Sequence, residues 1–102
     1  SSGYNIAGPE VEAALLSHDA VAECAVIGVP DDKWGETVKA LVVVDSEITE
    51  QELIDYCREK LAHYKCPTSI EFRDELARTA TGKLQKYKLR APYWEGQDKQ
   101  VN

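Results

Sequence analysis

The sequence predicts an α+β fold: one small domain in which a three-stranded antiparallel sheet is flanked by helices, with a short N-terminal turn and strand and a lysine loop near the C-terminus. Three observations carry this expectation. Val21–Val29 and Thr37–Val44 are rich in Val, Ile and Ala, and the loop between them is short enough to make them an antiparallel pair. Ser69-Ile70-Glu71-Phe72-Arg73 alternates apolar and polar residues as a third strand. Between the second and third strands, Ile48-Thr49-Glu50-Gln51-Glu52-Leu53 is a complete helix-start signal. There Thr49 is the N-cap, Glu52 closes a capping box, and Ile48 and Leu53 take the staple positions.

The remaining elements follow in chain order. Ser2-Gly3-Tyr4-Asn5 reads as a turn running into a short strand, with Gly3 free to bring backbone close to a ligand. Gly8-Pro9 reads as a helix start, with Glu10 and Glu12 complementing the positive end of the dipole and Val11, Ala14 and Leu15 forming the apolar stripe. That helix stops near His18-Asp19. The strand from Val21 reads as central, covered on both faces, and Pro30-Asp31-Asp32 ends it. Trp34 is assigned to cover an edge of the core, with contact to a partner as the second reading. The helix after Thr49 carries Leu53, Ile54, Cys57, Leu61 and Tyr64 on one face and runs to about His63. Leu84–Arg90 has helix-forming composition, Ala91–Trp94 packs as a tail, and Glu95–Asn102 is polar and loose.

Composition narrows the function. At 102 residues and 43% hydrophobic content, the chain is a single domain with enough apolar surface for a core. No stretch reaches the apolar length of a membrane span, no signal segment opens the chain, and a cytoplasmic location is the expectation. Cys24, Cys57 and Cys66 form no CxxC pair, and with only His18 and His63 no zinc set can be written. The net charge of −6 speaks against nucleic acid as a partner. Locally the sign reverses: residues 77–90 hold Arg78, Lys83, Lys86, Lys88 and Arg90 and no acidic residue. Such a patch suits a polyanionic small ligand or an acidic partner surface.

Within that patch, Arg78-Thr79-Ala80-Thr81-Gly82-Lys83 reads as a pliable loop carrying one lysine. An ammonium on a four-carbon stem can reach a phosphate, although most lysines in polar loops are solvated surface. A Walker phosphate loop is excluded by spacing, because it needs Gly at Ala77 and a hydroxyl at Leu84.

Arg78-Thr79-Ala80-Thr81-Gly82-Lys83-Leu84, preceded by Tyr64-Lys65-Cys66-Pro67 and Phe72-Arg73-Asp74-Glu75-Leu76, closely resembles the end of the AMP-forming acyl- and aryl-CoA synthetases. Gly3-Tyr4-Asn5-Ile6 with Pro9-Glu10-Val11-Glu12, Val26-Ile27-Gly28-Val29-Pro30-Asp31 and Trp34-Gly35-Glu36 agree in order and spacing, so the resemblance extends from Ser1 to about Trp94. It implies that residues 1–102 are the small C-terminal lid domain of such a ligase, its partner being a large N-terminal adenylation domain of the same chain. The abrupt start at Ser1 is expected of a fragment, and the fragment alone is expected not to turn over. The implied reaction joins a carboxylic acid and ATP to an acyl-adenylate, then passes the acyl group to CoA, with ATP/AMP, CoA and Mg as cofactors. Lys83 matches the adenylation lysine. Ser2, Gly3 and Asn5 match the opposite face, Gly3 beside the pantetheine arm of CoA and Asn5 near the adenylate. The opening run and the Lys83-Leu84-Gln85 ending look most like benzoate and 2-aminobenzoate ligases of aromatic acid metabolism. The alternatives are a lid that loads a carrier protein and a non-catalytic interaction module of the same fold.

Overall fold

The computed structural model describes residues 2–97, with side chains from residue 8 onward. Helix α1 (Ser2–Leu16) leads into β1 (Val21–Asp31) and β2 (Gly35–Val44); α2 (Glu50–Lys60) and a 3₁₀ turn (His63–Lys65) follow, then β3 (Ser69–Phe72) and α3 (Lys86–Trp94). The class is α+β, as expected.

Sheet order is β1-β2-β3, so β2 is the central strand and β1, expected there, lies at an edge. β1 and β2 are antiparallel, joined by the short loop that demands it. β3 instead runs parallel to β2, pairing Lys39 with Ser69 and Val42 with Phe72, so the sheet is mixed rather than wholly antiparallel. The reason is the connection: α2 and the 3₁₀ turn form a crossover long enough to return the chain in the same direction. Thr68 secures the entry to β3, since both its N–H and its hydroxyl donate to the Val38 carbonyl, at 2.9 and 3.1 Å.

Each face of the sheet has its own core. On one, Cys24, Val26, Ala40, Val42 and Ile70 pack with Val11 and Leu15 of α1 and Leu53, Ile54 and Cys57 of α2. On the other, Ala25, Ile27, Val29 and Leu41 pack with Leu76 and with Leu89 of α3. β1 is therefore buried on both faces, as read from its composition. A register shift between Val21 and Glu23 turns Val21 to the same face as Cys24, despite their odd spacing.

Two helix boundaries differ from expectation. α1 is helical from Ser2, where a turn and short strand were expected, and Pro9 lies inside it at the cost of one backbone donor. Glu10 and Glu12 therefore do not serve the helix start: Glu10 pairs with Lys65 at 2.9 Å, and Glu12 reaches β1 and α3. α2 ends at Lys60 rather than near His63, which leaves Tyr64 80% exposed instead of on the buried stripe. Residues 91–94 are helical, and the Trp94 indole N–H donates to the Gly28 carbonyl at 2.9 Å.

The Thr49–Glu52 capping box is present as read. Thr49 Oγ1 accepts from the Glu52 N–H at 3.1 Å, and Glu52 Oε1 accepts from the Thr49 N–H at 2.9 Å. All three cysteines are buried. Burial pushes the Cys24 thiol up to about 12 and the Cys57 thiol up to about 11, so both behave as small apolar side chains.

Leu53 is fully buried at the junction of α2 and the sheet, and Leu53→Ala is expected to destabilise the domain by about 2–5 kcal/mol in urea unfolding. The Thr49 backbone N–H holds the Glu52 carboxyl below its ordinary value of 4.5. A depressed folded value means that this contribution is present above the unfolded pKa and is lost as pH falls through the folded one. Glu52→Gln keeps an acceptor but no charge. The difference in urea midpoint between wild type and this variant should accordingly be largest near neutrality and shrink on acidification below 4.5.

Candidate functional site

Lys83 stands at the end of a short, closed hairpin. The Thr79 carbonyl accepts from the Gly82 N–H at 2.9 Å, and the Lys83 carbonyl accepts from the Thr79 N–H at 2.8 Å. This two-bond pattern, with Gly82 at φ 90°, is a β-turn followed by a left-handed residue. Thr79 Oγ1 also accepts from the Lys83 N–H at 3.1 Å and lies 3.0 Å from Thr81 Oγ1. The pliable arm expected from small residues is therefore a hydrogen-bonded turn, in which the hydroxyls that look merely polar in the sequence serve the backbone.

The flanks hold the turn to the sheet. Arg78 donates from Nε and Nη2 to Glu23 Oε1 at 3.0 and 2.8 Å, and from Nη1 to the Gly82 carbonyl at 2.7 Å. Gln85 N–H donates to the Ala77 carbonyl at 3.1 Å, and Leu76 and Leu84 insert into the core beneath α3. With both ends anchored, the Lys83 side chain points into solvent and makes no ion pair or hydrogen bond with the described residues. A lysine so presented is a cation available to a ligand.

A cavity of about 530 Å³ adjoins the hairpin, lined by Arg73, Leu76, Arg78, Lys88, Leu89 and Pro92 among others. Its arginines already have partners: Arg78 binds Glu23, and Arg73 binds both Glu71 at 2.6 Å and the Tyr93 hydroxyl at 2.9 Å. Tyr93 in turn donates to Glu71. Burial alone would raise the Glu71 carboxyl, but the hydrogen bonds from Tyr93 and Arg73 outweigh it and hold the group below its ordinary value.

A second surface was not legible as a site. Trp34, expected against the core, is 72% exposed, and with Tyr64 it borders a cavity of about 470 Å³ that also includes His63 and Thr68. The β1–β2 turn is built to present it. Asp31 Oδ1 accepts from the Lys33 and Trp34 N–H groups at 2.8 and 2.9 Å, and Gly35 takes φ 81°. Asp31 followed by Trp34-Gly35 is the available sequence signal, since a side chain at a hairpin tip has no core to enter.

Ser2, Gly3 and Asn5 fall on α1, and their side chains lie outside the described residues. Among the described residues, no group of three His, Cys, Asp or Glu side chains is placed to hold a metal ion. No helix among them is long and apolar enough to cross a membrane.

Comparison with known proteins gives the family and the fold. Residues 10–83 match the family described as AMP-binding enzyme C-terminal domain, a match that ends on Lys83. The chain belongs to that family. It is 49% identical over 94 residues to a probable CoA ligase, CCL11, of Humulus lupulus, a match covering 88% of this chain and 17% of that protein. It is likewise 49% identical over 90 residues to a 2-succinylbenzoate–CoA ligase of Bacillus cereus (strain Q1), covering 88% and 19%. Among solved structures, a Mycobacterium tuberculosis fatty acyl CoA synthetase superposes with a TM-score of 0.81 at 42% identity, covering 84% of this chain and 17% of that one. The o-succinylbenzoate CoA synthetase of Bacillus subtilis, in complex with its acyl-adenylate intermediate, gives 0.77 at 45%, covering 80% and 17%. The chain thus spans under a fifth of the length of these relatives.

Gly82 has open space around the position of a Cβ, so Gly82→Ala would meet no neighbour and would cost only what the left-handed backbone costs an L-residue, about 1–2 kcal/mol. The expected result is a loosened turn within an intact domain. Amide hydrogen exchange should speed up at Thr79 and at residue 82 and stay unchanged at Ile27 in β1.

Proposed function

We propose that this domain is the mobile C-terminal lid of an AMP-forming carboxylic acid–CoA ligase and that Lys83 serves the adenylation step. The observation that carries the proposal is Lys83 itself, an exposed cation without a partner among the described residues on an anchored turn, in a chain of this family. In the first half-reaction a carboxylate oxygen of the acid attacks the α-phosphorus of ATP. The bond from that phosphorus to the bridging oxygen breaks, and pyrophosphate leaves with the electron pair. Negative charge grows on the phosphoryl oxygens and the leaving group, and a positioned ammonium stabilises it. Mg enters with ATP as part of the substrate. In the second half-reaction the CoA thiol gives up its proton to solvent and its sulfur attacks the acyl carbonyl, the carbon–oxygen bond to AMP breaks, AMP leaves with the electron pair, and the thioester is released.

A lid that presents Lys83 for the first step and withdraws it for the second accounts for a cation whose side chain has no partner among the described residues. The other surface suits CoA. Trp34 and Tyr64 offer two exposed aromatic faces at one cavity, a platform on which an adenine ring can stack. Gly3 and Ser2 are assigned to the pantetheine arm and Asn5 to the adenylate. The acid class assigned is aromatic, on the likeness to proteins named 2-succinylbenzoate–CoA ligases and on the look of the opening run. The acid pocket itself belongs to the larger N-terminal domain, and the isolated lid is expected to be inactive.

Lys83→Ala in the full-length protein should abolish acid-dependent ATP–pyrophosphate exchange by at least about 100-fold, the scale on which one electrostatic donor acts. Thioester formation from supplied acyl-adenylate should remain within a few-fold of wild type. Running the exchange with benzoate, 2-aminobenzoate, 2-succinylbenzoate and a fatty acid identifies the acid class. Unchanged exchange in Lys83→Ala would return Lys83 to ordinary surface.

A further inference from the structure

Lys86 opens α3, three residues after Lys83, and its position is locally unfavourable. The preceding Gln85 provides no side-chain cap, the first turn holds no acidic residue, and a cation at the positive end of a helix is repelled by the dipole. What offsets these costs is a contact with distant elements. Lys86 Nζ lies 2.6 Å from Glu12 Oε2 on α1, and the same oxygen accepts from the Val26 N–H on the outer edge of β1 at 2.8 Å. The pair is sheltered, with the Glu12 side chain 16% exposed and that of Lys86 36% exposed. Gly8 is part of the arrangement, because a Cβ on this buried residue would sit 3.3 Å from Lys86 Nζ.

The lysine hairpin is thus pinned on both sides. Arg78 ties its incoming strand to Glu23 of β1, and Lys86 ties its outgoing end to Glu12 of α1. The geometry points to Lys86 as a positioning residue for Lys83, acting through Glu12 and the space left by Gly8 to hold the hairpin at a set place relative to α1. This inference rests on the adenylation role of Lys83. α1 is the first element of a domain described in its family as C-terminal, so under the proposed function the polypeptide reaches the rest of the enzyme through α1. A hairpin held to β1 and to α1 keeps a set place within the domain, which is what delivering a cation to the α-phosphate within about 1 Å requires.

The test uses the full-length enzyme with Lys86→Met, which keeps the stem without the charge, Lys86→Arg, Glu12→Gln, the Glu12→Gln/Lys86→Met double variant, and Lys83→Ala as reference. Lys86→Met should lower kcat for ATP–pyrophosphate exchange about tenfold, below the roughly hundredfold that a full 1 Å misplacement can cost. KM for ATP and thioester formation from supplied acyl-adenylate should stay within about twofold, because neither depends on where Lys83 sits. Glu12→Gln retains an acceptor for Val26 and should show the same selective loss. The double variant should be no worse than the poorer single variant, as expected of two residues acting as one unit, and Lys86→Arg should recover most of the activity. Equal loss in both half-reactions accompanied by a lower Tm, additive losses in the double variant, or exchange unchanged in Lys86→Met would each overturn the inference. Retained exchange in Lys83→Ala would instead overturn the functional reading beneath it.

Discussion

A three-stranded sheet has two open edges, and the rest of this domain is arranged around closing them. Outward-facing backbone groups on an edge strand must be paired or they invite another chain. Here carboxylates from the two flanking helices do the pairing. Glu12 of α1 takes the Val26 N–H of β1, and Glu50 of α2 takes the Ile70 N–H of β3 at 2.7 Å. On the β1 side the indole of Trp94 also donates to the Gly28 carbonyl. Both edges are thus engaged by residues that also set where α1, α2 and α3 lie. The helices are held by polar contacts at the rims and by apolar contacts across the faces, and these two sets specify the same arrangement.

That arrangement separates the two candidate ligand surfaces by construction. The aromatic pair Trp34 and Tyr64 depends on the β1–β2 turn and on the early end of α2. The lysine hairpin depends on the core beneath α3 and on Arg78. Under the proposed function, a body that turns as a unit presents one surface and then the other, because the two are built from different loops of one doubly covered sheet. The lid reading and the fold are therefore consistent without any rearrangement inside the domain.

Local features were legible in the sequence and non-local ones were not. The capping box at Thr49 and Glu52, the stripe of Val11, Ala14 and Leu15, and the burial of Cys24 and Cys57 involve near neighbours or simple hydrophobicity, whereas the burial of Cys66 was not read from its place beside Pro67. The direction of β3 was not legible, because period-two alternation is the same read either way along a strand. Tyr64 sits at the helical spacing of the buried stripe, but the backbone leaves the helix at Leu61, which takes an extended conformation. The role of Glu12 needs Lys86, which lies far along the chain and only folding brings near. For the site, Lys83 was found through its motif, whereas the hydrogen bonds that close its turn run mostly through backbone and two threonine hydroxyls. Trp34 was misplaced because a large apolar residue was assigned to the core without regard to the turn that carries it.

The parallel pairing of β3 also bears on how the chain acquires its structure. β1 and β2 meet across a turn of a few residues, and α2 carries its own start signal, so these units can form early from local contacts. β3 cannot. Its anchor, Thr68 on the Val38 carbonyl, joins residues 30 apart, and the cost of closing that loop falls before the contact is gained. Docking of Ser69–Phe72 is accordingly expected to be the late step in assembling the sheet, and the segment carrying Lys83 follows it in the chain. On that expectation a destabilising change in β3 would speed unfolding more than it slows folding, and the element that leads into the lysine hairpin would set the kinetic lifetime of the domain more than its rate of formation.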